Sequence, residues 1–255
     1  MDRRALGNSD LDVTRIGYGA FKIGRNLGAK YPDAYELPDD DESDALLNAM
    51  LDLGIGLIDT APAYGLSEQR VGRALAERRS EFTLSTKVGE TFESGRSAWD
   101  FTPEAIRSSL NRSLERLRCE SVDLLLVHSD GRDIEIQREH GISDTMQRLR
   151  DEGRTRAIGF SGKTEAGLME SLPWADAIMV EYHLDAREME PVIRAAGEMG
   201  VGVLVKKALG SGHLDPAAAL TFLTTESPVR DSISSIVIGS LSSARMATNI
   251  ETIRD

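Results

Sequence analysis

Short runs rich in Val, Ile and Leu recur along the chain, separated by longer segments whose apolar positions fall at helical spacing. A strand buried on both faces needs no polar alternation, so this rhythm predicts parallel strands joined by crossover helices. The strands are expected at Arg15 to Phe21, Gly56 to Thr60, Phe82 to Lys87, Val122 to His128, Arg156 to Ser161, Ala177 to Tyr182, Gly202 to Lys207 and Ser235 to Gly239. The helices are expected at 42–53, 67–78, 103–118, 142–152, 165–172, 187–199, 216–224 and 243–252. Ser67, Thr102, Ser143 and Asp215 suit N-caps, and the acidic run Asp39 to Glu42 suits a solvated helix start favoured by the macrodipole.

Eight such units favour an α/β fold with one closed (β/α)8 barrel, the TIM barrel, as a single domain over residues 1–255. An open doubly wound sheet competes with it. That architecture usually carries a glycine-rich turn after its first strand, whereas Gly17 and Gly19 lie inside the run and Gly24 and Gly28 are too dispersed. The segment before Arg15 is expected to add a short hairpin closing the barrel bottom, with Gly7-Asn8 near its turn. Two connections are long, Gly24 to Asp41 and Ser129 to Gly141, and both would lie on the strand C-terminal face. Their Tyr31, Tyr35, Arg132 and His140 are candidates for substrate contact.

Composition narrows the partners. The chain has 30 basic and 42 acidic residues, a net charge of −12, which argues against a nucleic-acid or anionic-membrane surface and leaves room for a local phosphate pocket. No apolar run reaches the length of a membrane span, and the N-terminus lacks the apolar core of a secretory signal. Cys119, the only cysteine, forms no internal disulfide, so a cytoplasmic protein is expected. No metal site is expected.

The chemistry concentrates at strand ends. Asp59, Tyr64, Lys87 and His128 lie at or just past the ends of the second, third and fourth runs, and a barrel brings all strand C-termini to one face. A free tyrosine titrates roughly three units too high to exchange a proton easily at neutral pH. A neighbouring ammonium favours its phenolate, Lys87 supplies that charge, and Asp59 would pair with the lysine and keep it protonated. From His128 an imidazole can hydrogen-bond a carbonyl oxygen or share the proton with Tyr64.

At these residues the chain resembles the aldo-keto reductase superfamily. Leu57-Ile-Asp-Thr-Ala-Pro-Ala-Tyr-Gly, continuing to Gly72-Arg-Ala-Leu, resembles the family's signature around its catalytic aspartate and tyrosine. Leu84-Ser-Thr-Lys-Val-Gly resembles its lysine strand, Ser113-Leu-Glu-Arg-Leu with Val122-Asp-Leu-Leu-Leu-Val-His its histidine strand, and Ile158-Gly-Phe-Ser its cofactor-contacting fifth strand. The resemblance implies a (β/α)8 barrel that transfers hydride reversibly between NADP(H), with NAD(H) as the alternative, and an aldehyde or ketone. It implies Tyr64 as general acid, Lys87 and Asp59 as the pair that lowers its pKa, and His128 as the group orienting the carbonyl.

The same resemblance extends to Ser235-Ile-Val-Ile-Gly-Ser-Leu-Ser-Ser-Ala-Arg-Met-Ala-Thr-Asn, where Gly239, Ser240, Arg245 and Asn249 fall on adenosine-phosphate positions. Arg245 would suit a 2′-phosphate. Ser161, Gly162, Met179 and Lys206 fall on nicotinamide positions, and three of them depart from the common pattern. Gly162 replaces an asparagine, Met179 a glutamine, and Lys206 an aromatic residue that stacks on the nicotinamide. The end of the chain at Asp255 and the brief Gly212 to Asp215 connection suggest an open site with fast cofactor exchange. Besides the reductase, two readings stay open: a non-catalytic dinucleotide-binding or regulatory barrel, and a Schiff-base lyase using Lys87 or Lys206.

Overall fold

The computed structural model describes residues 1, 3–28 and 31–253. Its elements in chain order are β1 (Arg3–Ala5), β2 (Asp12–Thr14), β3 (Ile16–Gly19), α1 (Asp40–Asp52), β4 (Leu57–Asp59), α2 (Ser67–Leu75), β5 (Thr83–Val88), β6 (Glu90–Glu93) and β7 (Arg96–Trp99). There follow α3 (Pro103–Leu117), β8 (Val122–His128), α4 (Asp133–Glu139), α5 (Ile142–Asp151), β9 (Thr155–Ser161), α6 (Glu165–Ser171) and β10 (Ala177–Glu181). The chain ends with α7 (Glu190–Met199), β11 (Gly202–Lys206), α8 (Pro216–Thr221), β12 (Ser235–Ile238) and α9 (Ser243–Thr252).

Eight parallel strands close in the order β10, β11, β12, β3, β4, β5, β8, β9, so the fold is the expected (β/α)8 barrel. The alternation of side chains along each strand divides the core in two. On β8, Leu124 and Leu126 face the barrel interior with Leu57, Ala157, Ala177, Met179, Leu204 and Val237, while Leu125 and Val127 pack outward against the helix ring.

The hairpin of β1 and β2 plugs the lower end. Leu6, Leu11 and Val13 are buried in the interior cluster, and Gly7 turns the chain at a left-handed φ of +60° against the carbonyl of Gly200, at the entry to β11. A side chain at Gly7 would come within 2.4 Å of that carbonyl oxygen, so both space and backbone require glycine there.

Helix starts follow the expected chemistry in part. Thr102 and Asp215 cap α3 and α8, and Asp39 forms a capping box with Glu42, which accounts for the acidic run. Ser67 is not a cap: its hydroxyl donates to the carbonyl of Ala20 and pairs with the Thr60 hydroxyl, both at 2.8 Å. Ser143 lies inside α5, whose cap is left-handed Gly141. Two elements go beyond the sequence expectation, the β6–β7 hairpin and the short helix α4 inside the Ser129 to Gly141 connection. Among the described residues no helix is long and apolar enough to cross a membrane.

Candidate active site

The backbone around Tyr64 is built to hold one side chain over the barrel mouth. After β4 the chain passes into a 3-10 turn, Pro62–Tyr64, with proline at a position that needs no donor. Gly65 then takes φ +61° so that the turn can sit against Gly24, whose carbonyl accepts from the Leu66 N–H at 3.1 Å. The Ser67 hydroxyl ties the same segment to the ends of β3 and β4 through Ala20 and Thr60. Phe21 packs edge-on against Tyr64, ring centroids 5.1 Å apart.

Beneath that ring lies a buried ion pair. Lys87 is 1% exposed, and its Nζ donates to both carboxylate oxygens of Asp59 at 2.7 Å and to the carbonyl of Thr60 at 2.9 Å. Ser85 donates a further hydrogen bond to Asp59 Oδ1 at 3.0 Å. Burial alone would strip the lysine of its proton, but the charge and hydrogen bonds of Asp59 overcome it and hold Lys87 above its ordinary value. Lys87 Nζ sits 4.6 Å from the centre of the Tyr64 ring. For Tyr64 the balance falls the other way: burial raises the phenol above its ordinary value and the lysine charge offsets only part of that rise. The expected lowering of Tyr64 by Lys87 is therefore a partial compensation in the free protein.

His128, at the end of β8, stands with its ring 6.2 Å from that of Tyr64 in an edge-on arrangement. Its Nδ1 approaches Glu90 Oε2 at 2.9 Å, an ion pair when the imidazole is protonated. Burial keeps the imidazole below its ordinary value, Glu90 pulling it up and Lys87 down, so it is neutral at physiological pH. Glu90 was absent from the sequence expectation. The signal for it was present in Ser94-Gly95, where φ values of +50° and +79° form the tight turn that makes 90–99 a hairpin.

The nicotinamide-side candidates gather opposite. Ser161 ends β9 and Lys206 ends β11; Lys206 Nζ donates to Ser161 Oγ at 3.0 Å and to the carbonyl of Gly162 at 2.9 Å. Burial, with the charges of Lys207 and Lys87, brings Lys206 down to about 7. Lys207 turns away and pairs with Glu181. Gly162 is small because a Cβ there would lie 2.7 Å from Leu168 Cγ and 3.1 Å from Asp133 Oδ2, an oxygen already accepting from Lys163, Thr164 and the Thr164 hydroxyl. Met179, 1% exposed, lies in the barrel interior at the level of Ser161, its partner in register across β10 and β9.

At the other end of the mouth, Gly239 leaves β12 beside the carbonyl of Gly19, with room for a Cβ only 3.0 Å from that oxygen. Ser240 is engaged in the turn to Ser242, whose hydroxyl caps α9 by accepting from the Arg245 N–H at 3.3 Å. Asn249 is buried on the same helix and Arg245 is exposed. Lys22, just past β3, lies over the Tyr31 ring at 3.8 Å, and both burial and the charge of Arg245 lower its proton affinity. A cation that feels Arg245 near a capped helix start has the charge that would suit a phosphate. Lys22, like Glu90, was not among the sequence candidates.

The loop candidates divide. Tyr31 and Tyr35 join Phe21 in an aromatic cluster that reaches Tyr64. Arg132 is held by Asp130 and Glu135, and His140 lies against Phe101.

The model of the Aldo/keto reductase family matches residues 15–229. L-galactose dehydrogenase of Arabidopsis thaliana is 37% identical over 171 residues, 64% of this chain and 49% of the plant protein, so the match spans about half of that relative. D-threo-aldose 1-dehydrogenase of a Pseudomonas species is 33% identical over 239 residues, 82% of this chain and 70% of that one. A solved Pseudomonas aeruginosa structure assigned to the aldo-keto reductases superposes with a TM-score of 0.89 at 37% identity, covering 98% of this chain and 93% of its own.

Proposed function

The chain belongs to the aldo/keto reductase family, and from that premise we propose that it reversibly interconverts an aldehyde or ketone and its alcohol with NADP(H), Tyr64 acting as general acid. The observation that carries the reading is the Tyr64 ring lying on a lysine that Asp59 keeps charged, beside a neutral His128.

Each residue then has a task. The nicotinamide, when bound, supplies the hydride to the carbonyl carbon. Tyr64 gives its hydroxyl proton to the carbonyl oxygen, and the Lys87 ammonium stabilises the phenolate left behind. Asp59 prevents the buried lysine from discharging. The His128 imidazole orients the carbonyl oxygen. Ser161, Gly162, Lys206 and Met179 bound the nicotinamide end, while Gly239, Ser240, Arg245, Asn249 and Lys22 would hold the adenosine phosphates; the Lys22 and Arg245 pair is the basis for preferring the phosphorylated dinucleotide. The two dehydrogenases named above act, by their names, on sugars, and a small hydroxylated aldehyde or its alcohol is the substrate class we propose. We also propose that the chain works as one barrel domain in a reducing, cytoplasmic setting, as its single cysteine suits.

The test is oxidation of NADPH and of NADH, followed by nicotinamide absorbance, against a panel of hydroxylated and simple aldehydes with Tyr64→Phe as control. Turnover by the parent that falls by about three orders of magnitude in the variant is expected. Cofactor binding without turnover on any carbonyl would favour a non-catalytic dinucleotide-binding barrel instead.

A further inference from the structure

Glu90 stands where the proton inventory of the site is incomplete. The mechanism above uses the imidazole of His128 without assigning which ring nitrogen carries its proton, and only one edge of that ring meets a carboxylate. Glu90 Oε2 is 2.9 Å from Nδ1, with side-chain exposures of 13% and 18% for the two residues, so the contact is largely withdrawn from water. The carboxylate is itself aimed: Ser97, across the β6–β7 hairpin, donates to Oε1 at 2.7 Å and leaves Oε2 to the histidine. Arg25, which stacks on Phe92 of the same hairpin at 3.5 Å, adds a charge that helps keep Glu90 ionised. Among the described residues the Glu90 carboxylate is the group that meets Nδ1, which has no hydrogen-bonding competitor there.

We propose that Glu90 is a positioning residue that holds the His128 proton on Nδ1 and so leaves Nε2, on the ring edge turned away from it, as a proton acceptor. The proposal rests on the reductase reading only for its catalytic consequence. A neutral imidazole with Nδ1–H facing a carboxylate can take a proton at Nε2: the Tyr64 O–H bond breaks, the Nε2–H bond forms, and the products are a phenolate and an imidazolium. The two charges so created already have partners. Lys87 faces the phenolate and Glu90 faces the imidazolium, so each offsets part of the burial that opposes the transfer, and the phenolate so formed can accept a proton from an alcohol.

The groups surrounding the imidazole set the sign. Glu90 on β6 favours its protonation; Lys87 on β5 and Lys206 on β11 oppose it; Tyr64, after β4, is the neutral neighbour. Replacing Glu90 by glutamine preserves shape and removes the one group that raises the imidazole, so His128 should titrate lower by about one unit.

The experiment uses the full chain with isotope-labelled histidines, the His128 signal among the four being assigned by loss in His128→Asn. In Glu90→Gln the His128 titration should fall by about one unit, and Ser97→Ala, which frees the carboxylate without deleting it, should give a smaller fall. Alcohol oxidation should lose about tenfold in kcat with its rising pH limb displaced, while carbonyl reduction changes less. A His128 titration unmoved in both variants overturns the proposal. A titration that shifts in a protein inert toward every carbonyl and alcohol supports the positioning role and refutes the reductase reading separately.

Discussion

Lys87 and Lys206 lie at the ends of two strands of the same barrel, the first fully buried and the second partly so, yet their proton affinities are pushed in opposite directions. Lys87 has a carboxylate at 2.7 Å and stays above its ordinary value; Lys206 donates to the Ser161 hydroxyl and the Gly162 carbonyl, at 3.0 and 2.9 Å, and drops to about 7. Neutral acceptors satisfy hydrogen-bond geometry without repaying the cost of burying a charge, whereas an anion repays it. The difference separates the two halves of the mouth. The half around Tyr64 has its lysine paired, and the half proposed for the dinucleotide carries cations with no ion pair among the described residues: Lys206 at one end, Lys22 and Arg245 at the other.

Breaking the paired half should cost most. Lys87→Met strands the Asp59 carboxylate in the interior, and denaturant unfolding at pH 7 should show a loss of about 3–5 kcal/mol, with much of it recovered when Asp59→Asn is added. A single variant as stable as the parent would mean that the pair contributes no charge balance.

The unpaired half should respond with the opposite sign. Because Lys206 titrates at about 7 when folded against its ordinary 10.5 when unfolded, the unfolded chain binds the extra proton between those values. Stability from this group therefore rises with pH across that window, and its full cost is felt below pH 7. Lys206→Met should raise stability at pH 6 by about 2 kcal/mol, discounted for its partial exposure, with the gain vanishing as pH approaches 10.5. An equal gain at both ends of the range would point to packing alone.

A smaller effect is expected at Arg245, proposed to meet the 2′-phosphate. Arg245→Leu should weaken NADP+ binding by about tenfold in a fluorescence titration while leaving NAD+ within about twofold. Equal losses for both dinucleotides would move Arg245 away from the 2′-phosphate.

The barrel was legible because strand ends and helical spacing repeat through the whole chain, and Asp59, Tyr64, Lys87 and His128 were legible because each falls at such an end. What escaped was set by contacts remote in sequence. Glu90 meets His128 from the next strand but one and is oriented by Ser97 across a hairpin, and Lys22 feels the charge of Arg245 across more than two hundred residues. The reason for Gly162 lies in α4, through Asp133 and its bonds to Lys163 and Thr164, an element with no clear period in the sequence. Ser67 read as a cap because its residue type suits one, while its hydroxyl is spent on tying Tyr64 in place.

The most direct test of the account is single-turnover reduction of a hydroxylated aldehyde by NADPH bearing deuterium at the transferable position, in the parent and in Tyr64→Phe. Label should appear on the former carbonyl carbon of the alcohol in the parent, and the rate in the variant should fall by about three orders of magnitude while cofactor affinity holds. Hydride transfer at the parent rate in Tyr64→Phe would contradict it.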